Sequence, residues 1–230
     1  MLDSLSLKNK IFEILSWKNY VFLLRRRQYL SRNDLTQEFK GKTIAVVGNA
    51  RALSKGTCGP EIDGHDLILR FNACPCVGEA SHGRRTDWIA LGGRISKERY
   101  LQLGRPGILW MTPQRSMTRA WYFGLERLYL HPWDATQRAY PRAGRRPSTG
   151  LMALLLLKDF DIAGITLFGF DFYRSLSLSG EQTAETTPHN YNTEEEIILD
   201  FMRADPLIRL VPLSPAKVSS SETIGIERRL

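Results

Sequence analysis

A histidine followed five residues later by a glutamate is the strongest candidate in this sequence for acid–base chemistry. His189 and Glu194 belong to the segment PHNYNTE, which follows a polar loop and precedes an acidic helical pattern. A histidine whose pKa lies near neutrality can accept a proton from an alcohol, and a nearby glutamate can orient its ring. The alternative is a structural or incidental histidine, which is the more common case for a histidine that stands alone.

A second candidate is the segment Ser148, Thr149 and Gly150, which opens a strongly apolar helical run. A serine or threonine at a helix start can cap the helix, and the free N–H groups there favour an anion. Arg145 and Arg146 stand just upstream and favour phosphate or carboxylate. A capping role alone is the simpler interpretation of the same residues.

Two asparagines follow predicted strands. The β-branched run Thr43–Val47 ends at Gly48 and Asn49, and Asn72 ends the strand predicted over 65–71. In parallel sheets the carboxyl ends of strands form the usual ligand site, and two amides facing one cleft suit a ribose or a pyrimidine base. A cap or a turn is the alternative role for each. The glycine spacing excludes a dinucleotide fingerprint, and no Gly-Lys-Ser/Thr follows the first strand as a P-loop requires.

Metal chemistry has little support in the sequence, and we expect no metal cofactor. Asp159-Phe160-Asp161 has the D-x-D form of metal-dependent sugar transferases, but it lies at the end of the apolar helix, where a loop role is favoured. The segment Cys74-Pro75-Cys76 has metal-binding residue types without the spacing of a zinc site. The three cysteines do not indicate a disulfide scaffold.

These residues require a parallel sheet to position them. Strands are predicted over 43–47, 65–71, 86–91, 107–111, 164–168 and 208–211, and helices over 151–158 and 193–204. Strands that alternate with helices predict an α/β fold, here a single Rossmann-like domain with a mostly parallel sheet flanked by helices. We expect a helical arm over 1–40, a catalytic domain over 41–215 and a loose tail over 216–230.

The charge distribution favours an anionic partner. The chain of 230 residues has a formal net charge of +8, with the basic excess before residue 147 and an acidic excess after it. Residues 5–30 form a basic amphipathic pattern, which predicts either a helix packed on the domain or a peripheral contact with an anionic membrane. No apolar run is long enough for a membrane span and no secretory signal is evident, so we expect a cytoplasmic protein. A nucleic-acid binder is disfavoured because no recognition signature is present.

Taken in order, these segments resemble the sialyltransferases. IAVVGNA and DGHDLILRFN are similar to the large sialylmotif of glycosyltransferase family 29, and PSTGLMALLLL with LFGFDFY is similar to the small one. The spacing from His189 to Glu194 resembles the very short motif. The DFY and PHNYNTEEE segments also resemble the bacterial sialyltransferases of family 42. The resemblance covers residues 43–211.

The resemblance implies a donor activated by cytidine monophosphate (CMP), transfer of a sugar acid with inversion to a glycan or glycolipid hydroxyl, and no metal. Asn49 and Asn72 would hold the nucleotide, and we group Gly48 and Arg70 with them as donor-binding candidates. Residues 148–150 would bind the carboxylate or phosphate of the donor.

For the reaction itself, the resemblance implies that His189 is the general base and that Glu194 is its partner in the motif. Tyr173 would donate a hydrogen bond to the leaving phosphate, and Arg145 or Arg146 would share that task. The cysteines that the animal enzymes carry in both long motifs are missing here, since Ile44 starts the first motif and the second has none.

Two alternatives remain open from the sequence. The donor could be sialic acid or a relative such as Kdo, which is also activated by CMP. The chain could also be a non-catalytic module that binds a nucleotide sugar or a glycan with the same fold.

Overall fold

A computed structural model describes residues 16–25, 28–172, 178 and 188–213. In these ranges a single sheet of seven parallel strands runs in the order β5-β4-β3-β2-β1-β6-β7. The strands are β1 (Thr43–Val47), β2 (Leu67–Phe71), β3 (Trp88–Leu91), β4 (Gly107–Trp110), β5 (Leu128–Leu130), β6 (Gly164–Phe168) and β7 (Ile208–Leu210). The predicted α/β fold class is confirmed.

Helices cover both faces of this sheet. They are α1 (Trp17–Leu24), α2 (Arg32–Phe39), α3 (Gly59–Asp63), α4 (Glu79–His82), α5 (Lys97–Gln102), α6 (Trp133–Ala143), α7 (Thr149–Leu157) and α8 (Tyr191–Ala204). Short 3-10 helices join some of the elements, the first at Arg51–Lys55.

The alternation of side chains along β1 explains how the sheet is buried on both faces. Ile44 and Val46 pack into the cluster that includes α2, α7 and α8, whereas Ala45 and Val47 pack on the opposite face. Because both faces of a buried parallel strand pack against apolar side chains, its sequence is a continuous apolar run. The apolar sequence of α7 has the same cause, because the helix is buried on nearly all sides.

The strand order places a topological switch next to β1. Its neighbours are β2 on one side and β6 on the other. The chain leaves β1 toward β2, whereas it leaves β6 in the opposite direction toward β7. The loops that follow β1 and β6 therefore separate at the carboxyl edge of the sheet, which is where α/β proteins bind their ligands.

The main differences from the sequence prediction lie between β4 and α7. Strand β5 and helix α6 were not predicted. β5 has only three residues, and α6 contains Pro141, although proline is rarely found in the interior of a helix. Elsewhere the predicted elements are present with shifted ends; β2, for example, begins at Leu67 rather than at residue 65.

The described part of the N-terminal arm is helical. Phe22 of α1 is buried against Tyr29 and Phe123, while Trp17 and Leu24 are exposed. Among the residues that the structure describes, no helix combines the length and the apolar character needed to cross a bilayer. Residues 1–15 of the predicted arm and the predicted tail over 216–230 lie outside the described residues.

Candidate active site

A cavity of about 480 Å³ opens at the carboxyl edge of the sheet, beside the switch between β1 and β6. This volume lies in the range of small-molecule sites. Two groups of residues that line it are named here. The strand side consists of Gly48, Asn49 and Asn72, and the helix side consists of Ser148, Thr149, Gly150, His189 and Glu194. Residues distant in sequence that were singled out for their chemistry thus meet in one cavity.

The strand side depends on a close approach of two backbones. A Cβ atom on Gly48 would lie 2.4 Å from the carbonyl oxygen of Gly169, and Gly169 itself has a φ of +67°. Glycine is needed at both positions, first for space and then for the left-handed conformation. The crossing brings the loop after β6 against the loop after β1, and this contact forms the base of the cavity.

The two asparagines of the strand side are held by neighbouring strands. The Asn49 Nδ2 group donates to the Phe71 carbonyl at 3.3 Å, and Asn72 Oδ1 accepts the Gly92 N–H at 3.0 Å. Asn72 has a φ of +53°, a conformation that asparagine tolerates better than most residues. The amides are thus oriented before any ligand binds.

The helix side is built around the start of α7. The Ser148 side chain caps this helix by accepting the Leu151 N–H at 3.1 Å. Thr149 and Gly150 occupy the first turn, where backbone N–H groups have no acceptor within the helix. Both residues line the cavity, so the positive end of the helix dipole faces the cavity and favours an anion there.

The ring of His189 is fixed by a backbone carbonyl. Its Nδ1 lies 2.7 Å from the Arg146 oxygen, and because a carbonyl only accepts, Nδ1 carries the proton. The lone pair of the neutral ring is then on Nε2. Burial lowers the pKa of His189, the Arg146 guanidinium acts in the same direction, and the hydrogen bond to the carbonyl opposes them. A neutral imidazole of this tautomer can act as a base.

Glu194 has a different partner from the one we expected. Its Oε1 accepts the Ser148 backbone N–H at 2.7 Å, and no hydrogen bond joins it to His189 in the described contacts. The side chain is 2% exposed. Burial raises the pKa of this carboxyl, while the hydrogen bonds from Ser148 oppose the shift. Glu194 therefore links the start of α8 to the start of α7.

The arginines expected at the site do not line the cavity. Arg70 is 1% exposed and lies on the other face of β2, where it donates to the carbonyls of His82 and Arg85 at 2.5 and 2.9 Å. These contacts make it a structural residue, so we no longer count it among the binding candidates. Arg145 is exposed, and the hydrogen bond between His189 and Arg146 is made by the backbone carbonyl of Arg146, whose side chain affects His189 only through its charge.

Two further points concern residues near the site. Arg94 lines the cavity although the sequence analysis missed it; its Nε donates to the Met117 carbonyl at 2.8 Å. It lies three residues beyond the end of β3, after Gly92 and Gly93, whereas Asn72 directly follows β2, so the strand-end rule did not single it out. Tyr173, the expected donor to a leaving group, lies outside the described residues.

The expected absence of a metal remains a prediction. Within the described ranges no three His, Cys, Asp or Glu side chains are grouped as metal ligands would be. Asp159 of the D-x-D segment follows the carboxyl end of α7, whereas the cavity lies at the other end of that helix, and it pairs with Arg32.

Comparison with known proteins decides which family this arrangement resembles. The model of glycosyltransferase family 29 (sialyltransferase) matches residues 8–101. The resemblance to the sialyltransferases is confirmed. CMP-N-acetylneuraminate-beta-galactosamide-alpha-2,3-sialyltransferase 1 of Mus musculus is 37% identical over 81 residues, which cover 35% of this chain and 23% of the mouse enzyme. Beta-galactoside alpha-2,6-sialyltransferase 2 of Takifugu rubripes is 40% identical over 85 residues, covering 36% of this chain and 15% of the fish enzyme. The chain thus spans less than a quarter of the length of either relative.

Solved sialyltransferase structures share the fold. A mammalian sialyltransferase superposes with a TM-score of 0.62 at 16% identity, covering 92% of this chain and 86% of that one. The sialyltransferase CstII from Campylobacter jejuni, in complex with cytidine-5'-monophosphate, gives a TM-score of 0.50 at 15% identity, with 78% and 82% covered. The fold likeness to both an animal and a bacterial enzyme fits the mixed resemblance found in the sequence.

Proposed function

We propose that this chain transfers a sialic-acid-type sugar from a CMP-activated donor to the hydroxyl of a glycan or glycolipid. His189 acts as the general base in a single displacement that inverts the anomeric carbon and uses no metal. The observation that carries the proposal is the His189 ring itself, which lines the cavity as a neutral imidazole with Nδ1 bound to the Arg146 carbonyl.

The chemistry of such a transfer makes two demands on the protein. The acceptor hydroxyl must lose a proton as it attacks, and His189 Nε2 takes it; a positioned base of this kind contributes about 10²–10⁴-fold to the rate. The departing CMP carries new negative charge on its phosphate. The N–H groups of Thr149 and Gly150 and the Thr149 hydroxyl are donors fixed in advance for that charge.

The strand side suits the nucleotide. The amide groups of Asn49 and Asn72 offer neutral donors and acceptors, as a cytosine base or a ribose requires. The complex of CstII with cytidine-5'-monophosphate supports a CMP-linked donor for this chain. The names of the animal relatives make β-galactosides the first acceptors to test.

We also propose that the enzyme is cytoplasmic and lies on the inner face of an anionic membrane. The described cysteines are free thiols, which fits a reducing compartment. On α1, Trp17 and Leu24 are 60% and 67% exposed, and basic residues flank the helix. An apolar helix face with basic neighbours is typical of peripheral binding to anionic lipid.

Vesicle flotation tests that contact. We expect the chain to float with anionic vesicles and to remain below with neutral ones, and Trp17→Ser combined with Leu24→Ser to abolish flotation. Leu101 on α5 is 44% exposed and supplies the control, Leu101→Ser, which should float as the wild type does. Equal flotation of all three proteins would overturn the membrane proposal.

The experiment that tests the transferase proposal is CMP release with a chelator present. CMP-sialic acid and CMP-Kdo are offered separately with galactose-terminated oligosaccharides. We expect acceptor-dependent release from CMP-sialic acid that the chelator does not reduce. Saturable CMP binding without release from either donor would instead indicate a non-catalytic binding module. The absence of both binding and release would overturn the proposal.

A further inference from the structure

Two cysteines lie next to the cavity in the loop that follows β2. Cys74 and Cys76 are both free thiols, and their Sγ atoms are 3.5 Å apart. Cys74 is buried with 3% exposure, whereas Cys76 is exposed. The pair begins two residues after Asn72 and one residue after Ala73, both of which line the cavity.

Neighbouring arginines hold this loop and make it electropositive. Arg99 of α5 donates through Nε to the Ala73 carbonyl at 3.0 Å and through Nη2 to the Cys74 carbonyl. The two sulfurs share a hydrogen bond in which either can donate. With Cys76 as the acceptor, this bond and the charges of Arg70 and Arg99 lower the pKa of Cys76 to about 6, against the opposing effects of burial and Asp63. The same bond and burial raise the pKa of Cys74.

The remaining cysteine has a different setting. Cys58 is half-buried at the start of α3, and burial raises the pKa of its thiol. Because the thiolate is the nucleophile, the chain contains one exposed, activated sulfur with a second sulfur beside it, and one unactivated sulfur that serves as an internal control.

We propose that Cys76 and Cys74 form a peroxide-sensitive thiol pair that closes reversibly into a disulfide at the rim of the cavity. The Cys76 thiolate attacks one oxygen of hydrogen peroxide; the O–O bond breaks, giving a sulfenic acid and a hydroxide that is protonated to water. The Cys74 sulfur then attacks the sulfenic sulfur, the S–O bond breaks, and the hydroxyl leaves as water with the Cys74 proton. Two thiols and one peroxide thus give one disulfide and two waters.

Closure must move the loop. A disulfide has an S–S length of about 2.05 Å, so the sulfurs must approach by more than 1 Å from their 3.5 Å separation. Pro75 cannot absorb the movement easily because its φ is fixed, and Cys74 is already in the left-handed region with a φ of +46°. Rotation of the two cysteine side chains takes up part of the movement, and we expect the rest to strain the bonds that hold Ala73 and Asn72 beside the cavity. An exposed disulfide at this position would be accessible to thiol reductants, as a reversible modification requires.

Thiol mapping by mass spectrometry tests the pair. The purified full chain is treated with hydrogen peroxide, and the remaining thiols are alkylated and digested. We expect one peptide that contains both Cys74 and Cys76, lighter by two hydrogen masses and not alkylated. Cys58 should still be open to alkylation, and dithiothreitol should reverse the change fully. Dominant oxidation of Cys58, a disulfide between two chains, or no bond between these sulfurs would overturn the proposal.

Three variants separate the roles of the sulfurs. Cys76→Ser should abolish the reaction, and Cys74→Ser should stop it at a Cys76 sulfenic acid, which dimedone traps. Cys58→Ser should react as the wild type does. Rapid disulfide formation in Cys76→Ser, or a failure to trap the sulfenic acid in Cys74→Ser, would contradict the assigned roles.

The effect on the cavity rests on the proposed function and is measured separately. We expect the oxidised chain to bind CMP several-fold more weakly than the reduced chain, and Cys76→Ser to bind it equally before and after peroxide. A linked peptide together with unchanged CMP affinity would overturn only the coupling to the cavity. If the reduced chain does not bind CMP at all, the proposed function fails while the thiol pair is still judged by its mass.

Discussion

The two sides of the cavity are built in different ways. The strand side contains no ionisable side chain: Gly48 gives the backbone room, and Asn49 and Asn72 present amides that neighbouring strands orient. The helix side contains two titratable groups, His189 and Glu194, whose pKa values burial shifts in opposite senses. The first arrangement suits binding of a neutral group, and the second suits charge stabilisation and proton transfer.

The roles proposed for the two sides also rest on different observations. The family model matches residues 8–101, a range that contains the whole strand side and none of the helix side. The similarity to this family is therefore found on the side that we propose binds the nucleotide. The chemistry is inferred instead from the contacts of His189 and of the start of α7. Each of the following predictions tests whether the two sides have separate tasks.

The largest expected effect is that of His189→Ala. Removal of the base should lower sugar transfer from the CMP donor by about 10²-fold or more, because no other group takes the acceptor proton, while CMP affinity stays within about twofold since the strand side is intact. Initial rates and calorimetric titration with CMP measure the two quantities.

The matched control is His65→Gln. His65 lies outside the cavity, with its ring bound to the Glu61 carbonyl and the Thr166 hydroxyl, so this variant should transfer sugar at the wild-type rate. Full activity in His189→Ala would end the assignment of His189 as base.

Glu194 should act on stability through Ser148 rather than as a second base. Glu194→Ala leaves the Ser148 N–H without its acceptor and should lower the free energy of unfolding by about 1.5–3 kcal/mol. Glu194→Gln keeps an acceptor oxygen and should change it by less than about 1 kcal/mol. Denaturant unfolding of both variants measures this. Equal destabilisation by alanine and glutamine would show that the charge, not the acceptor, matters.

On the strand side, Gly48→Ala tests the close approach of the two loops. The new Cβ atom would lie 2.4 Å from the Gly169 oxygen, and relieving that clash should cost about 1–3 kcal/mol of unfolding free energy. Gly93 also lines the cavity but has nothing within 4 Å of a built Cβ atom. Gly93→Ala should therefore change stability by less than about 0.5 kcal/mol. Similar losses in the two variants would contradict the packing described for the strand side.

The smallest expected effect is on the pH profile. Burial lowers the pKa of His189, and below that pKa the protonated ring cannot accept a proton. The acidic limb of kcat/KM should therefore fall below the ordinary histidine value of about 6.5. Arg146→Gln removes a charge that lowers the pKa but keeps the backbone carbonyl, so the limb should move upward. A limb above 6.5 in the wild type would contradict the neutral-base assignment.

The sequence was sufficient to predict most of the sheet and the residues that form the strand side and the helix side of the cavity. β1 and β6 are continuous apolar runs that end in glycine, and the strand-end rule located Asn49 and Asn72. The cap at Ser148 was readable for the same reason, since a serine precedes a long apolar helix. These features depend on local pattern alone.

Partners distant in sequence were not predictable. The spacing of His189 and Glu194 suggested a contact between them, but His189 binds Arg146 and Glu194 binds Ser148, both more than 40 residues away. Arg70 directly precedes two residues that line the cavity, yet the alternation of β2 turns its side chain to the other face of the sheet. Such contacts depend on how the helices pack on the sheet.

The most direct test of the two-sided cavity measures turnover and CMP affinity together in His189→Ala and Asn72→Asp. The aspartate keeps an oxygen for the Gly92 N–H, replaces the amide donor by a second oxygen and adds a negative charge that repels the phosphate of CMP. We predict that His189→Ala loses turnover and keeps CMP affinity, whereas Asn72→Asp loses about tenfold in affinity, or about 1.4 kcal/mol. The account would be contradicted if His189→Ala lost CMP affinity while Asn72→Asp bound CMP normally and lost turnover.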